Sequence, residues 1–140
     1  MVNPAEVRLL LVDDMEEKRN IVRRLLIAMG FTQTTMARNG EEALALLTSQ
    51  PFDIVLCDWN MPKMSGRVLL DKVRADQKIA LLPFIMITGE NTATQVKSAI
   101  EGGVTDFIIK PFTASRLEQR ITYALENAPL LAPWSPPDAC

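Results

Sequence analysis

The chain has 140 residues, 48% of them apolar and 23% charged, a length for one domain and a balance that suggests neither disorder nor a membrane class. Its formal charge of -2 and pI near 5.2 give no electrostatic ground for binding nucleic acid or an anionic membrane surface. The absence of histidine removes Ser-His-Asp and Cys-His nucleophiles, histidine metal ligation and any phosphohistidine on this chain.

Charges or prolines interrupt every apolar stretch before it reaches the length of a bilayer span, so membrane insertion is not expected. The opening Met1-Val2-Asn3-Pro4-Ala5-Glu6 lacks the basic-then-apolar pattern of a secretory signal, and the expected location is the cytoplasm. Cys57 and Cys140 are accordingly expected as reduced thiols.

Residues 8–12 read as a first strand, with Asp13-Asp14 as the turn and cap of the next helix. That helix covers residues 16–29. Ile21, Leu25 and Met29 recur at helical spacing, the basic run from Arg19 to Arg24 reads as its solvated face, and Gly30 fits as its stop. Residues 31–37 form a weak strand, polar in its middle and so expected near an edge. Asn39-Gly40 marks a turn before a helix over residues 41–47.

Residues 54–58 are apolar on successive positions and rich in β-branched residues, as expected of a strand covered on both faces. This strand delivers Asp58 to the loop Trp59-Asn60-Met61-Pro62. Ser65-Gly66 opens a further helix through Val68, Leu69, Val73 and Arg74, and residues 83–87 make another buried strand closing on Thr88. A less apolar helix over residues 92–100 ends at Gly102-Gly103, and a short strand over residues 106–109 ends at Lys110-Pro111. The last helix covers residues 114–127, with Leu117, Ile121, Ala124 and Leu125 on one face. Residues 128–140, with Pro129, Pro133, Pro136 and Pro137, read as a disordered tail that cannot continue it. Five alternations of strand and helix predict an α/β fold, a doubly wound parallel sheet covered on both faces by right-handed crossovers.

Four of the predicted strands end in a polar group: Asp13 with Asp14, Asp58, Thr88 and Lys110. Such a sheet opens these loops on one carboxyl edge. Crowded carboxylates repel unless a cation lies between them; oxygen donors without histidine or thiolate point to a hard ion, and a cluster this small suits magnesium better than calcium. With such an ion present, Asp58 is the candidate nucleophile toward a phosphoryl group, with Lys110 and Thr88 stabilising the phosphoryl oxygens.

The segments Val12-Asp13-Asp14, Asp58-Trp59-Asn60-Met61-Pro62, Thr88-Gly89-Glu90 and Lys110-Pro111-Phe112-Thr113 together resemble the receiver domain of two-component response regulators. Within that family the chain is most similar to the chemotaxis regulators that act on the flagellar motor. The resemblance covers residues 8–127 and implies a flavodoxin-like sheet order. It makes Asp58 the phosphoacceptor, Asp13 and Asp14 the acidic pair that binds Mg2+ with Asp58 and the Asn60 backbone carbonyl, and Thr88 and Lys110 the switch hydroxyl and phosphoryl-pairing lysine. Asn60 and Glu90 fall where the family tunes loss of the phosphoryl group, with small Gly89 leaving room for water. Phe107 stands at the aromatic switch position, where the chemotaxis regulators carry tyrosine, and Pro111 is expected to follow a cis bond.

The function implied is that of a monomeric, phosphorylatable receiver, not a classical enzyme, which phosphorylates itself from small donors and dephosphorylates itself. Its partners would be a sensor histidine kinase and an output protein, either a flagellar motor switch or a histidine phosphotransfer protein. The alternatives are a phosphate sink or shuttle, an adaptor independent of phosphorylation, and a magnesium-dependent phosphohydrolase. The last is disfavoured because Asn60 is no acid and no cap domain is present.

Overall fold

Five apolar runs form one parallel sheet: β1 (Arg8–Val12), β2 (Gln33–Ala37), β3 (Ile54–Asp58), β4 (Phe84–Thr88) and β5 (Asp106–Ile109), ordered β2-β1-β3-β4-β5. Five helices follow them in turn: α1 (Glu16–Ala28), α2 (Gly40–Ser49), α3 (Gly66–Ala75), α4 (Ala93–Glu101) and α5 (Ala114–Glu126). The computed structural model describes residues 3–89 and 92–126. Glu90, Cys140 and the expected tail over residues 128–140 lie outside the described residues. The sheet has the flavodoxin-like order, and its winding reverses between β1 and β3, where the strand ends leave a crevice for ligands.

Alternation along the strands explains their unbroken apolar runs. Leu9, Leu11, Ile54, Leu56, Ile85, Ile87 and Ile108 face one core with Leu26 of α1 and Leu117, Ile121 and Ala124 of α5. Leu10, Val12, Val55, Cys57, Phe84 and Met86 face the other, with Ala43 and Leu47 of α2, Leu69, Leu70 and Val73 of α3, and Ala99 of α4. Only a sheet covered on both sides needs apolar residues at every position. β2 lies at an edge, and Thr34, Thr35 and Met36 are only half-buried.

Side-chain caps start the other helices. Asn39 Oδ1 accepts from Glu42 N–H at 2.8 Å, Ser65 Oγ from Val68 N–H at 3.2 Å, Thr92 Oγ1 from Gln95 N–H at 3.2 Å, and Thr113 Oγ1 from Arg116 N–H at 3.0 Å. α1 departs from expectation. Its cap position is Met15, which makes no side-chain bond, while Asp13 Oδ1 accepts Met15 N–H at 3.0 Å in a turn before the helix. The two carboxylates stay at the sheet edge, too early in the chain to cap it.

The buried stripe of α1 also differs from the expected Ile21, Leu25 and Met29. Ile21 is 54% exposed and Leu26 fully buried, with Val22, Leu25 and Met29 packed beside it. A strict four-residue spacing drifts about 40° round the helix at each step, so the stripe that keeps facing the sheet is 22, 25, 26, 29. Gly30, at φ +98°, ends the helix where only a residue without Cβ turns easily. The apolar face expected of α5 is confirmed, with Leu117, Ile121 and Ala124 buried and Leu125 partly so.

Candidate functional site

Ladder hydrogen bonds that continue past the strand ends fix the site's backbone. Asp13 N–H donates to Ala37 O at 3.2 Å, Trp59 N–H to Ile87 O at 2.9 Å, and Lys110 N–H to Thr88 O at 2.8 Å. Each chemical group is therefore held in register with its neighbour before its side chain is considered. The loop after Asp58 is closed by Gly66 N–H donating to Trp59 O at 2.9 Å, with Met61 buried beneath it and Asn60 exposed at its mouth. A Cβ at Gly66 would lie 2.6 Å from Asp58 O, so only glycine lets α3 begin this close to the acid.

Asp13 and Asp58 are buried, at 5% and 6% exposure. One carboxylate oxygen from each of Asp13, Asp14 and Asp58 falls within 4.8 Å of the others, and Lys110 Nζ stands 3.3 Å from Asp58 Oδ1. Burial holds the Asp13 carboxyl above the usual carboxylate range, and the Asp58 and Asp14 charges push it the same way. The Met15 N–H and Lys110 oppose them. Three carboxylates facing one ammonium are short of positive charge, and their oxygens make a hard donor set. Mg2+ fits this cluster, since it prefers few carboxylates and keeps several waters.

Cys57 adds no soft ligand. Burial pushes its thiol well above the ordinary value, Asp58 and Asp13 add to this, and Sγ donates to Asp58 O at 3.2 Å. The Lys110–Pro111 bond is cis, as the resemblance implies.

Thr88, 4% exposed, turns toward α4, where its Oγ1 donates to Gln95 Oε1 at 3.3 Å. Both residues line a cavity of about 10 Å³ with Trp59, Met86, Val96, Ala99 and Phe107. Phe107 is half-buried at its wall and packs against the core shared with α2, α3 and α4. A Cβ added at Gly89 would meet no described atom within 4 Å, so the space there does not depend on glycine.

Two residues at this edge escape sequence reasoning. Arg19, read as part of a solvated basic face, is 8% exposed, and its Nη1 donates to Asp13 O at 2.7 Å. Its neighbours Arg23 and Arg24 are exposed as expected. A signal was present, since Arg19 lies three residues before Val22 and seven before Leu26, on the buried stripe. Gln95 carries no comparable signal.

Residues 9–122 match the family described as response regulator receiver domain. The chain belongs to that family. This receiver is 42% identical over 121 residues to the chemotaxis protein CheY of Pseudomonas aeruginosa, covering 86% of this chain and 98% of that one. It is also 42% identical over 121 residues to the chemotaxis protein CheY-3 of Vibrio cholerae, covering 86% and 93%. The solved structure of the chemotaxis response regulator CheY4 of Vibrio cholerae matches it with a TM-score of 0.78 at 29% identity, over 84% of this chain and 98% of that one. The receiver is therefore a CheY-like signalling domain of the two-component class and not a classical enzyme. Its family binds Mg2+ at acidic residues and works with histidine kinases and output proteins. No described helix is long and apolar enough to cross a membrane.

Proposed function

We propose that this receiver is a phosphorylation switch in which Asp58 accepts a phosphoryl group from a phosphohistidine of a sensor histidine kinase. The observation that carries the reading is the meeting of the Asp58 carboxylate with the Lys110 ammonium at 3.3 Å and with two further carboxylates. In the transfer an Asp58 oxygen attacks phosphorus, the donor's phosphorus–nitrogen bond breaks, and the nitrogen keeps the electron pair. Such a step needs in-line placement and charge neutralisation more than a strong base. A small donor such as acetyl phosphate meets the same requirements, which supports self-phosphorylation.

Mg2+ held by Asp13, Asp14, Asp58 and the Asn60 backbone carbonyl would neutralise charge on the phosphoryl oxygens. Lys110 supplies a second positive charge from the neighbouring side of Asp58. The Thr88 hydroxyl then donates to a phosphoryl oxygen and leaves the wall of the cavity it shares with Phe107. The phenyl ring moves inward, and the face built from α4, β5 and α5 changes shape for an output protein. Asn60 at the mouth of the site, together with Glu90 by its place in the family motif, sets how fast water removes the group.

The 42% identity to chemotaxis proteins supports a chemotaxis output read in the cytoplasm, with a flagellar motor switch as partner. Phe107 lacks the hydroxyl that a tyrosine would bring to that contact. The test is intact mass after incubation with acetyl phosphate, with and without Mg2+, beside an Asp58→Asn control. A gain of one phosphoryl mass that requires both Mg2+ and Asp58 is expected. No gain under any condition would remove the switch and leave an adaptor that binds its partner unmodified.

A further inference from the structure

We propose that Gln95 is a positioning residue for the switch hydroxyl: it holds the Thr88 proton in the resting arrangement and competes for it with a phosphoryl group on Asp58. This rests on the reading of Asp58 as phosphoacceptor.

The geometry isolates the competition to one side-chain torsion. Thr88 O accepts from Lys110 N–H at 2.8 Å, so the Thr88 backbone is fixed by the sheet, and its hydroxyl changes partner by turning about χ1 between staggered positions. In this structure Thr88 Oγ1 donates to Gln95 Oε1 at 3.3 Å. A hydroxyl carries one proton, and a proton given to Gln95 is withheld from a phosphoryl oxygen.

Gln95 is well placed to keep it. Its own N–H donates to Thr92 Oγ1 at 3.2 Å in the cap of α4, so the backbone that carries the acceptor is ordered. Val96 and Ala99 of the same helix line the cavity with it, and at about 10 Å³ the space is near the lower limit for one water. Solvent therefore replaces Gln95 poorly as a partner for Thr88.

A bond to an ionised phosphoryl oxygen is roughly twice as strong as a neutral hydrogen bond of this kind. The phosphoryl group wins, but by less than it would without Gln95. Releasing Gln95 also removes a tie between β4 and the first turn of α4, which links the proton's choice of partner to the face that an output protein reads.

The experiment measures half-saturation by beryllium fluoride, a phosphoryl mimic, with saturating Mg2+ in wild type, Gln95→Leu and Gln95→Ala. The same two substitutions are then repeated in a Thr88→Val background. With Thr88 present, each is expected to lower the half-saturating concentration about five-fold, the equivalent of roughly 1 kcal/mol. In the Thr88→Val background the hydroxyl donor is gone and the substitutions should change nothing, which a Gln95 side chain acting only by its packing within α4, independently of Thr88, would not predict. Equal shifts in both backgrounds, or none in either, while wild type still binds through Asp58, would overturn the role of Gln95 and leave the receiver mechanism standing. Binding unaffected by Asp58→Asn would overturn the phosphoacceptor reading and this proposal with it.

Discussion

Lys110 Nζ, just past β5, stands 3.3 Å from Asp58 Oδ1, at the end of β3, and offsets the charge of a carboxylate that is grouped with the acidic pair. The ammonium and a divalent cation therefore draw on the same charge. Lys110→Ala is expected to bind Mg2+ several-fold more tightly, because the competing positive charge has gone. The same variant should take up phosphoryl from acetyl phosphate about 10- to 100-fold more slowly, since a hydrogen bond to a charged group contributes roughly 1.5–3 kcal/mol. Magnesium titration and time-resolved intact mass read the two effects separately. Weaker Mg2+ binding by the variant would show that Lys110 does not compete.

Asp13 places a buried charge beside Asp58 and Asp14, and its raised carboxyl pKa records that the folded chain resists ionising it. Without Mg2+, Asp13→Asn should melt a few degrees above wild type, because the repulsion is removed while the shape stays. Excess Mg2+ should reverse the order. Wild type then gains about 2.7 kcal/mol at a hundred times the Kd, and the variant much less. Melting curves with and without the ion test the crossing; parallel shifts in both proteins would count against Asp13 as a ligand.

Asp13, Asp14, Asp58, Thr88 and Lys110 are legible as one group in the sequence because each ends an apolar run, and strands of a parallel sheet end on one edge. The order β2-β1-β3-β4-β5 is not legible from the residues alone. Alternating strands and helices require parallel neighbours but leave open on which side each crossover lands, and only the receiver resemblance supplied that. Arg19 was hidden by its company, since in a run with Lys18, Arg23 and Arg24 a solvated face is the natural reading, and only its place on the Val22–Leu26 stripe points inward. Gln95 was out of reach altogether. Its bond to Thr88 spans a loop and depends on how α4 is set against β4, which no periodicity encodes.

At the opposite edge, Asp53 binds Arg8 three times: Oδ2 accepts from Arg8 N–H at 2.8 Å and Nε at 3.0 Å, and Oδ1 from Nη2 at 2.9 Å. Hydrogen bonding to the Arg8 side chain holds the Asp53 carboxyl below its ordinary value, against the opposing effect of burial. A lowered folded pKa contributes stability that is present above the unfolded carboxylate value, about 3.9, and is lost as pH falls through the folded one. Wild type should therefore melt above Asp53→Asn by a constant margin from neutral pH to about pH 5, and the margin should close in stronger acid. The margin is small, because both side chains are part-exposed and solvent screens the pair. A gap that persists unchanged at the acid end would mean that packing, not charge, makes the difference.

Gly66 and Gly40 both open helices, yet an added methyl meets different neighbours. At Gly40 the nearest atoms all belong to the flexible side chain of Met64, with Sδ at 2.5 Å, and that chain can move aside. At Gly66 the Cβ would strike Asp58 O at 2.6 Å and approach Trp59 Cα at 3.1 Å, both of them backbone. The Gly66 N–H also closes this loop on Trp59 O, so relief requires moving the segment that carries the acid. Gly66→Ala is expected to destabilise the fold by about 1–3 kcal/mol, the usual cost of overpacking, and Gly40→Ala by less. Gly66→Ala should also slow phosphoryl uptake at temperatures where it remains folded, because an in-line attack tolerates little displacement of Asp58. Urea unfolding with parallel acetyl phosphate kinetics measures both effects, and equal losses in the two variants would show that the contact with Asp58 is not what excludes a side chain at Gly66.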